Sequence, residues 1–296
     1  MKAPAIFLGG IMFALGCGAS ETAAKRPAEP AGDKLPSAGG DASAQPSSQP
    51  SAMASAPSAP PSASGVASAA PIASAAPASA CGATMALIPA GSYQPGGKGK
   101  DTAVGAFCID RTETTFDQYQ ECVKAGKCTA PTLGSCEKSG PINYDGRGDH
   151  PIVCVDLAMA SGYCAFRDKR LATDIEWEWA ARGGEKAASY PWGEEAPDKQ
   201  LCWSGGGTQL PHTCVAGSFP GGANPQGVLD LAGNVGEWVT SKNDTKIPDR
   251  GGRGGSWQDA LRASVKANHS SWFKPEYRCG FLGIRCVKEA PTSGPH

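Results

Sequence analysis

The chain has 296 residues, a formal net charge of −1 at neutral pH and 19% charged residues. So even a balance excludes a strongly basic nucleic-acid surface or a polybasic membrane patch as the basis of function. Twelve cysteines with no CxxC pair among them argue for disulfides rather than structural zinc.

Residues 1–17 read as an export signal: Met1-Lys2 is the basic start and Ile6 to Leu15 the apolar stretch. That stretch is shorter than the ~20 residues a mature membrane span needs. Ala14-Leu15-Gly16-Cys17 places small residues before a cysteine, the pattern of a bacterial lipoprotein signal cleaved ahead of Cys17, whose thiol takes the lipid. The alternative is an ordinary cleaved signal with an incidental cysteine. Gly18, rather than an aspartate, favours the outer membrane of a Gram-negative envelope over the inner one.

Residues 18–80 are almost wholly Ala, Ser, Pro and Gly, with every charge at or before Asp41 and no aromatic residue. Such a segment buries too little apolar surface to offset its conformational entropy, so it is expected to be a disordered tether. Residues 81–288 then form one domain, which holds all seven tryptophans, and 289–296 are a tail.

Within the domain, Met85–Pro89 and Phe107–Asp110 alternate as strands do. Thr115-Phe116-Asp117-Gln118 fits a capping box, and Phe116, Tyr119, Cys122 and Val123 follow at helical spacing until Gly126. Leu157 to Asp168 reads as a helix despite Gly162. Thr173-Asp174-Ile175-Glu176 is a second capping box, followed by Trp177, Ala180 and Ala181 and stopped by Gly183-Gly184. Most of residues 185–280 shows no sustained period and is expected to be loop. The class is α+β with modest regular content.

Eleven cysteines lie in the domain, an odd number, so at least one is outside any intramolecular bond. Cys202 and Cys214 flank a glycine-rich loop and make a natural local pair. Cys122 and Cys128 straddle Gly126, but either could equally bond Cys136 or Cys154. The histidines His150, His212, His269 and His296 accompany no GxSxG nucleophile motif, which argues against a Ser-His-Asp hydrolase. Trp192, Trp238, Trp257 and Trp272 could line a ligand groove; the plainer expectation puts three of the four in the core. Gly251–Gly255 lacks the Lys-Ser/Thr of a phosphate loop and is expected to pack backbone closely beside Trp257. The Arg-Gly-Asp at 147–149 is read as a chance tripeptide in a Gly-rich loop, and the neighbouring Asp145-Gly146 as turn chemistry.

The ordered set MALIPAGSY, FCIDRTETT, HPIVCVDLAMASGYC, KRLATDIEWEWAARGG, YPWG, LAGNVGEW, RGGSW and GFLGIRC resembles the sulfatase-modifying factor family, the formylglycine-generating enzymes and their relatives. The resemblance covers residues 84–288. It implies the formylglycine-generating-enzyme variant of the C-type-lectin-like fold, with low regular secondary structure and calcium in its loops. Active members oxidise a protein cysteine with oxygen and Cu(I), which two cysteines hold in a GSxxCxxxxC pattern. Here GSWQDALRAS puts Asp259 and Ser264 where those thiols belong, and hard oxygen ligands make a poor Cu(I) site. Ser256 matches a serine of the substrate pocket. Cys279, fifteen residues past Ser264, has no local argument as a substitute.

The resemblance further implies a Cys164–Cys286 disulfide and a calcium loop using Asp230 and Glu237 side chains with Gly233 and Val235 carbonyls. A metal-free Asx-turn at Asp230 is the alternative. The family's other calcium site, between Leu201-Cys202 and Pro220-Gly221, lacks its acidic ligands, and a disulfide there is expected to replace it. The extra helical domain of the related sulfoxide synthases is not expected, since residues 1–80 read as signal and tether. These features point to an exported, lipid-anchored, non-catalytic binding or accessory module, with calcium as a structural cofactor and no copper. Its partners would be the membrane, through the lipid, and an unknown extracytoplasmic protein or glycan, with no nucleic acid. The alternative is an oxidoreductase of the family that acts on protein cysteine with a different residue set.

Overall fold

Two capping boxes set the helical frame. Thr115 caps α1 (Phe116–Lys124) and Thr173 caps α3 (Asp174–Ala181), each accepting from the backbone N–H three residues on while Gln118 or Glu176 reaches back. Between them α2 (Leu157–Phe166) begins at Asp156, whose side chain accepts from the Met159 N–H. This helix is two residues shorter than its sequence pattern: Arg167 leaves helical geometry and Asp168 turns left-handed at φ 55°.

The computed structural model describes residues 80–97, 99–136, 142–207, 209–240 and 250–291. The expected signal peptide with Cys17, the tether to residue 79, residues 292–296 of the tail, and His296 lie outside the described residues. The chain divides into units Met1–Ala67 and Ser68–His296, and every described residue belongs to the second.

Two four-stranded sheets carry that unit. The first orders β1 (Met85–Ile88), β4 (Phe107–Asp110), β10 (Cys286–Glu289) and β5 (Arg170–Leu171), all antiparallel. β1 stops before Pro89, which has no N–H for a ladder. A small hairpin joins β2 (Gly91–Tyr93) to β3 (Thr102–Val104). The second sheet orders β8 (Ser270–Phe273), β7 (Arg250–Arg253), β6 (Gly236–Val239) and β9 (Leu282–Gly283), with β6 and β9 parallel. Three of its strands, β6, β7 and β8, interrupt a region that is otherwise mainly loop and turn among the described residues, as expected. Its strands are too short and too rich in glycine to show a period.

One core cluster gathers Tyr119, Tyr163, Val235, Trp238, Leu282 and Ile284 between α1, α2 and the second sheet. Another packs Trp177 and Trp179 of α3 against Ile88, Phe107 and Val287 of the first sheet. Of the four tryptophans considered above, only Trp238 and Trp257 are buried. Trp192 is half-buried, stacked on Tyr190 at 5.2 Å, and Trp272 is 50% exposed. The expectation of three in the core is thereby corrected: no residue of the edge strand β8 is buried, so Trp272 finds no cover there.

Five disulfides join Cys81–Cys108, Cys122–Cys128, Cys136–Cys154, Cys164–Cys286 and Cys202–Cys214. Cys279 lies outside these bonds and is completely buried. So many bonds mark folding in an oxidising, extracytoplasmic compartment. Cys164–Cys286 ties α2 to β10 across 122 residues, a closure worth ~4–5 kcal/mol as an entropic upper limit. Among the described residues, no helix is long and apolar enough to cross a membrane.

Candidate functional site

The RGGS turn leaves β7 beside a cavity of about 320 Å³, lined by Gly252, Gly255, Ser256, Asp259, Ser271 and Phe273 among others. Its floor is fixed by charge. Arg253 donates twice to Asp174 at 2.7 Å and again to Glu178 at 3.1 Å, while its guanidinium lies 6.0 Å from the Trp177 ring centre. Glu178 also holds Arg182 at 3.1 Å, so α3 and β7 are pinned by a buried ionic chain. Removing one partner of such a chain leaves an uncompensated buried charge, at about 3–5 kcal/mol.

Glycine is required in this turn for two reasons. Gly255 has φ +68°, and a β-carbon there would lie 2.6 Å from the Ser264 carbonyl oxygen. One on Gly252 would meet the Phe273 ring at 2.7 Å. Gly251 packs against Val239 and Gly254 against Trp177. The expected close packing is therefore present, but its neighbours are these residues and not Trp257.

At the position expected for the first copper thiol, Asp259 closes on its own turn. Its Oδ2 accepts from the Ser256 N–H at 2.8 Å and from the Ser256 hydroxyl at 2.9 Å. The Asp259 N–H donates back to the Ser256 carbonyl at 3.1 Å. Ser256 is 3% exposed, so its hydroxyl is consumed inside the turn. Ser264 is half-buried, with its N–H on the Leu261 carbonyl and its own carbonyl against Gly255. Cys279 does not line the cavity. His269 is near enough to Asp259 and Arg253 to feel both charges, and burial lowers its pKa below the usual histidine range.

The DLAGNVGE loop packs directly on this turn, with the Gly233 N–H donating to the Gly254 carbonyl at 2.9 Å. Asn234, left-handed at φ 53°, donates its N–H to the Cys202 carbonyl and accepts the Cys214 N–H on Oδ1. It thus grips both ends of the Cys202–Cys214 bond, which sits where the family's other calcium site was expected. Ser204 extends the clamp, donating its hydroxyl to the Trp257 carbonyl at 2.8 Å and its N–H to the Asp259 carbonyl at 3.0 Å.

Beneath the loop lies a buried group of three carboxylates and one arginine that the sequence reading did not anticipate as a unit. Glu237 accepts from Arg285 on Oε1 at 2.8 Å and from the Trp177 indole on Oε2 at 2.6 Å. Asp230, left-handed at φ 57°, accepts the Gly217 N–H on Oδ2 at 2.6 Å. Its Oδ1 is buried with no donor among the described residues. Glu113 accepts from Asn234 and the Val235 N–H. Burial first, and the nearby Asp230 charge second, hold the Glu113 carboxyl well above the ordinary range; burial raises Asp230 as well.

These donors test the expected calcium set. Asp230 Oδ1 is an orphaned oxygen suited to a hard cation, and the Gly233 and Val235 carbonyls accept no loop hydrogen bond among the described residues. Glu237 is committed to Arg285 and Trp177, and serves as a ligand only by giving up one of those bonds. Of the four expected donors, Asp230 Oδ1 is the one buried oxygen without a partner among the described residues.

The description "sulfatase-modifying factor enzyme 1-like domain" matches residues 71–290. Inactive C-alpha-formylglycine-generating enzyme 2 of Bos taurus is 38% identical over 159 residues, covering 48% of this chain and 51% of that protein. A formylglycine-generating enzyme of Streptomyces coelicolor is 32% identical over 179 residues, covering 50% and 56%. The chain therefore spans about half the length of these curated relatives. In structure it is similar to PvdO from Pseudomonas aeruginosa, with a TM-score of 0.58 at 24% identity over 69% of this chain and 94% of that one, a likeness of fold alone. The low regular content, five disulfides and this match together give a formylglycine-generating-enzyme-like fold, and the chain belongs to the sulfatase-modifying factor enzyme 1-like family.

Proposed function

We propose that this chain is a non-catalytic, extracytoplasmic binding module, carried on a lipid at Cys17 and held off the membrane by the tether of residues 18–80. The observation that carries this reading is the Ser256–Asp259 lock. A carboxylate stands at the expected first thiol position, with one of its oxygens taken up by two hydrogen bonds from its own turn. Cu(I) is a soft ion that selects thiolates, and neither Asp259 nor Ser264 supplies one. Mammalian relatives named as inactive formylglycine-generating enzymes support the same reading.

The cavity keeps features of a recognition cleft. Phe273 and Phe281 line it, and Leu261, two residues past the lining Asp259, is 70% exposed. An extracytoplasmic protein segment or a glycan is the occupant this surface suits. Calcium belongs to the reading as a structural ion held by Asp230, Gly233 and Val235, where its charge would balance the buried carboxylates.

The test is a conversion assay. The full chain is incubated with Cu(I), oxygen and a cysteine-bearing sulfatase-motif peptide, with a formylglycine-generating enzyme as the positive control. Unchanged peptide is the expected result, and catalytic appearance of the aldehyde overturns the proposal.

A further inference from the structure

A second cavity, of about 150 Å³, is lined by Tyr144, Arg147, His150, His212, Thr213 and Trp257 among others. The two histidines reach it from distant parts of the chain. His150 ends a turn whose N–H bonds the Arg147 carbonyl and whose carbonyl accepts the first amide of α1. His212 sits in the loop closed by Cys202–Cys214. Their rings meet edge to face, with centres 5.6 Å apart and planes at 72°.

Thr213 orients both rings. Its carbonyl lies 2.6 Å from His212 Nδ1, and its hydroxyl lies 2.9 Å from His150 Nδ1. A carbonyl can only accept, so His212 carries its proton on Nδ1 and presents a lone pair on Nε2. When His150 donates to the Thr213 hydroxyl in the same tautomer, its Nε2 lone pair is exposed as well. A ring nitrogen held by a backbone or hydroxyl oxygen is the outer-shell arrangement that aims the opposite nitrogen at a metal.

The spacing agrees. Two imidazoles bound through Nε2 to one ion at ~2.1 Å, at tetrahedral to trigonal angles, have ring centres about 5.2–5.5 Å apart. Arg147 and Asp149 oppose one another in charge across the His150 turn. The remaining described wall, with Pro211, Thr213, Trp257 and Gly280, carries no charge.

We propose that His150 and His212 form an open two-imidazole site for a divalent transition ion of the zinc(II) and copper(II) class. Among the described residues, no group of three or more His, Cys, Asp or Glu side chains is placed to hold a metal. The pair therefore leaves coordination positions for water or an incoming donor. The site shares no residue with the calcium loop, and imidazole nitrogen does not select calcium. Trp257 in the wall supplies a fluorescence reporter.

The test titrates the untagged full chain, oxidised and folded, with Zn²⁺ by calorimetry and with Cu²⁺ by Trp fluorescence and electron paramagnetic resonance. One equivalent of ion is expected, with two-nitrogen coupling on copper. His150→Ala and His212→Ala should each weaken binding at least tenfold, and Thr213→Val by roughly tenfold through loss of orientation. His269→Ala should leave it unchanged. His212 is only half-buried, so His212→Ala decides the matter should His150→Ala fail to fold. Binding weaker than millimolar in the folded wild type, or tight binding indifferent to His212→Ala, overturns the proposal.

Discussion

Ser256 and Asp259 hold one another: the serine gives its amide and its hydroxyl to a single carboxylate oxygen at 2.8 and 2.9 Å, and takes the aspartate amide in return. The carboxylate turns inward and completes a tight turn, so Asp259 acts as a local structural brace.

This brace has a measurable strength. Asp259→Ala strands the buried Ser256 N–H and should cost about 1–3 kcal/mol in denaturant unfolding. Asp259→Asn keeps an acceptor oxygen and should cost less than the alanine. Equal stability of the alanine variant and the wild type would show that the lock contributes nothing.

Burial of Glu113 predicts an inverted pH response. Its folded pKa is raised, so the neutral form contributes stability that is complete below the unfolded value and lost as pH rises towards and through the folded one. Glu113→Gln keeps an acceptor for the Val235 N–H without the ionisation. In chelator, stability should shift in favour of the glutamine variant as pH rises from about 5 to 7, by at most ~1.4 kcal/mol per pH unit. A pH-independent difference would place the Glu113 charge in solvent.

Calcium should stabilise the fold through Asp230. Added Ca²⁺ at a hundred times its dissociation constant should raise stability by about 2.7 kcal/mol, and a chelator should remove the gain. Asp230→Ala also loses the Gly217 hydrogen bond, so the informative readout is its lost response to calcium, not its lower starting stability. A wild type indifferent to calcium would leave the metal-free turn as the correct description.

Sequence reading reached the parts of the fold written locally. The helices at Thr115 and Thr173 announce themselves because a capping box and a 3.6-residue period both act within one turn. β7 does not, because its Arg250-Gly251-Gly252-Arg253 shows no alternation; close neighbours, Val239 and Phe273, dictate its glycines. That Asp259 and Ser264 stand where the family's thiols are expected was legible from the resemblance. What Asp259 does in their place was not, since its bonds to Ser256 depend on the turn's shape. The Glu113, Asp230, Glu237 and Arg285 cluster and the His150–His212 pair were equally hidden. Each joins residues that only the folded chain brings together, and no short motif records them.

The account turns on whether this turn can hold copper, and a Cu(I) titration of the reduced-copper system under anaerobic conditions measures that directly. The oxidised full chain carrying His212→Ala, competed against a colorimetric Cu(I) chelator, should take up no stoichiometric copper, whereas adding Asp259→Cys and Ser264→Cys should gain uptake. One tightly held Cu(I) per His212→Ala chain, consuming oxygen once a thiol peptide is added, would contradict the account.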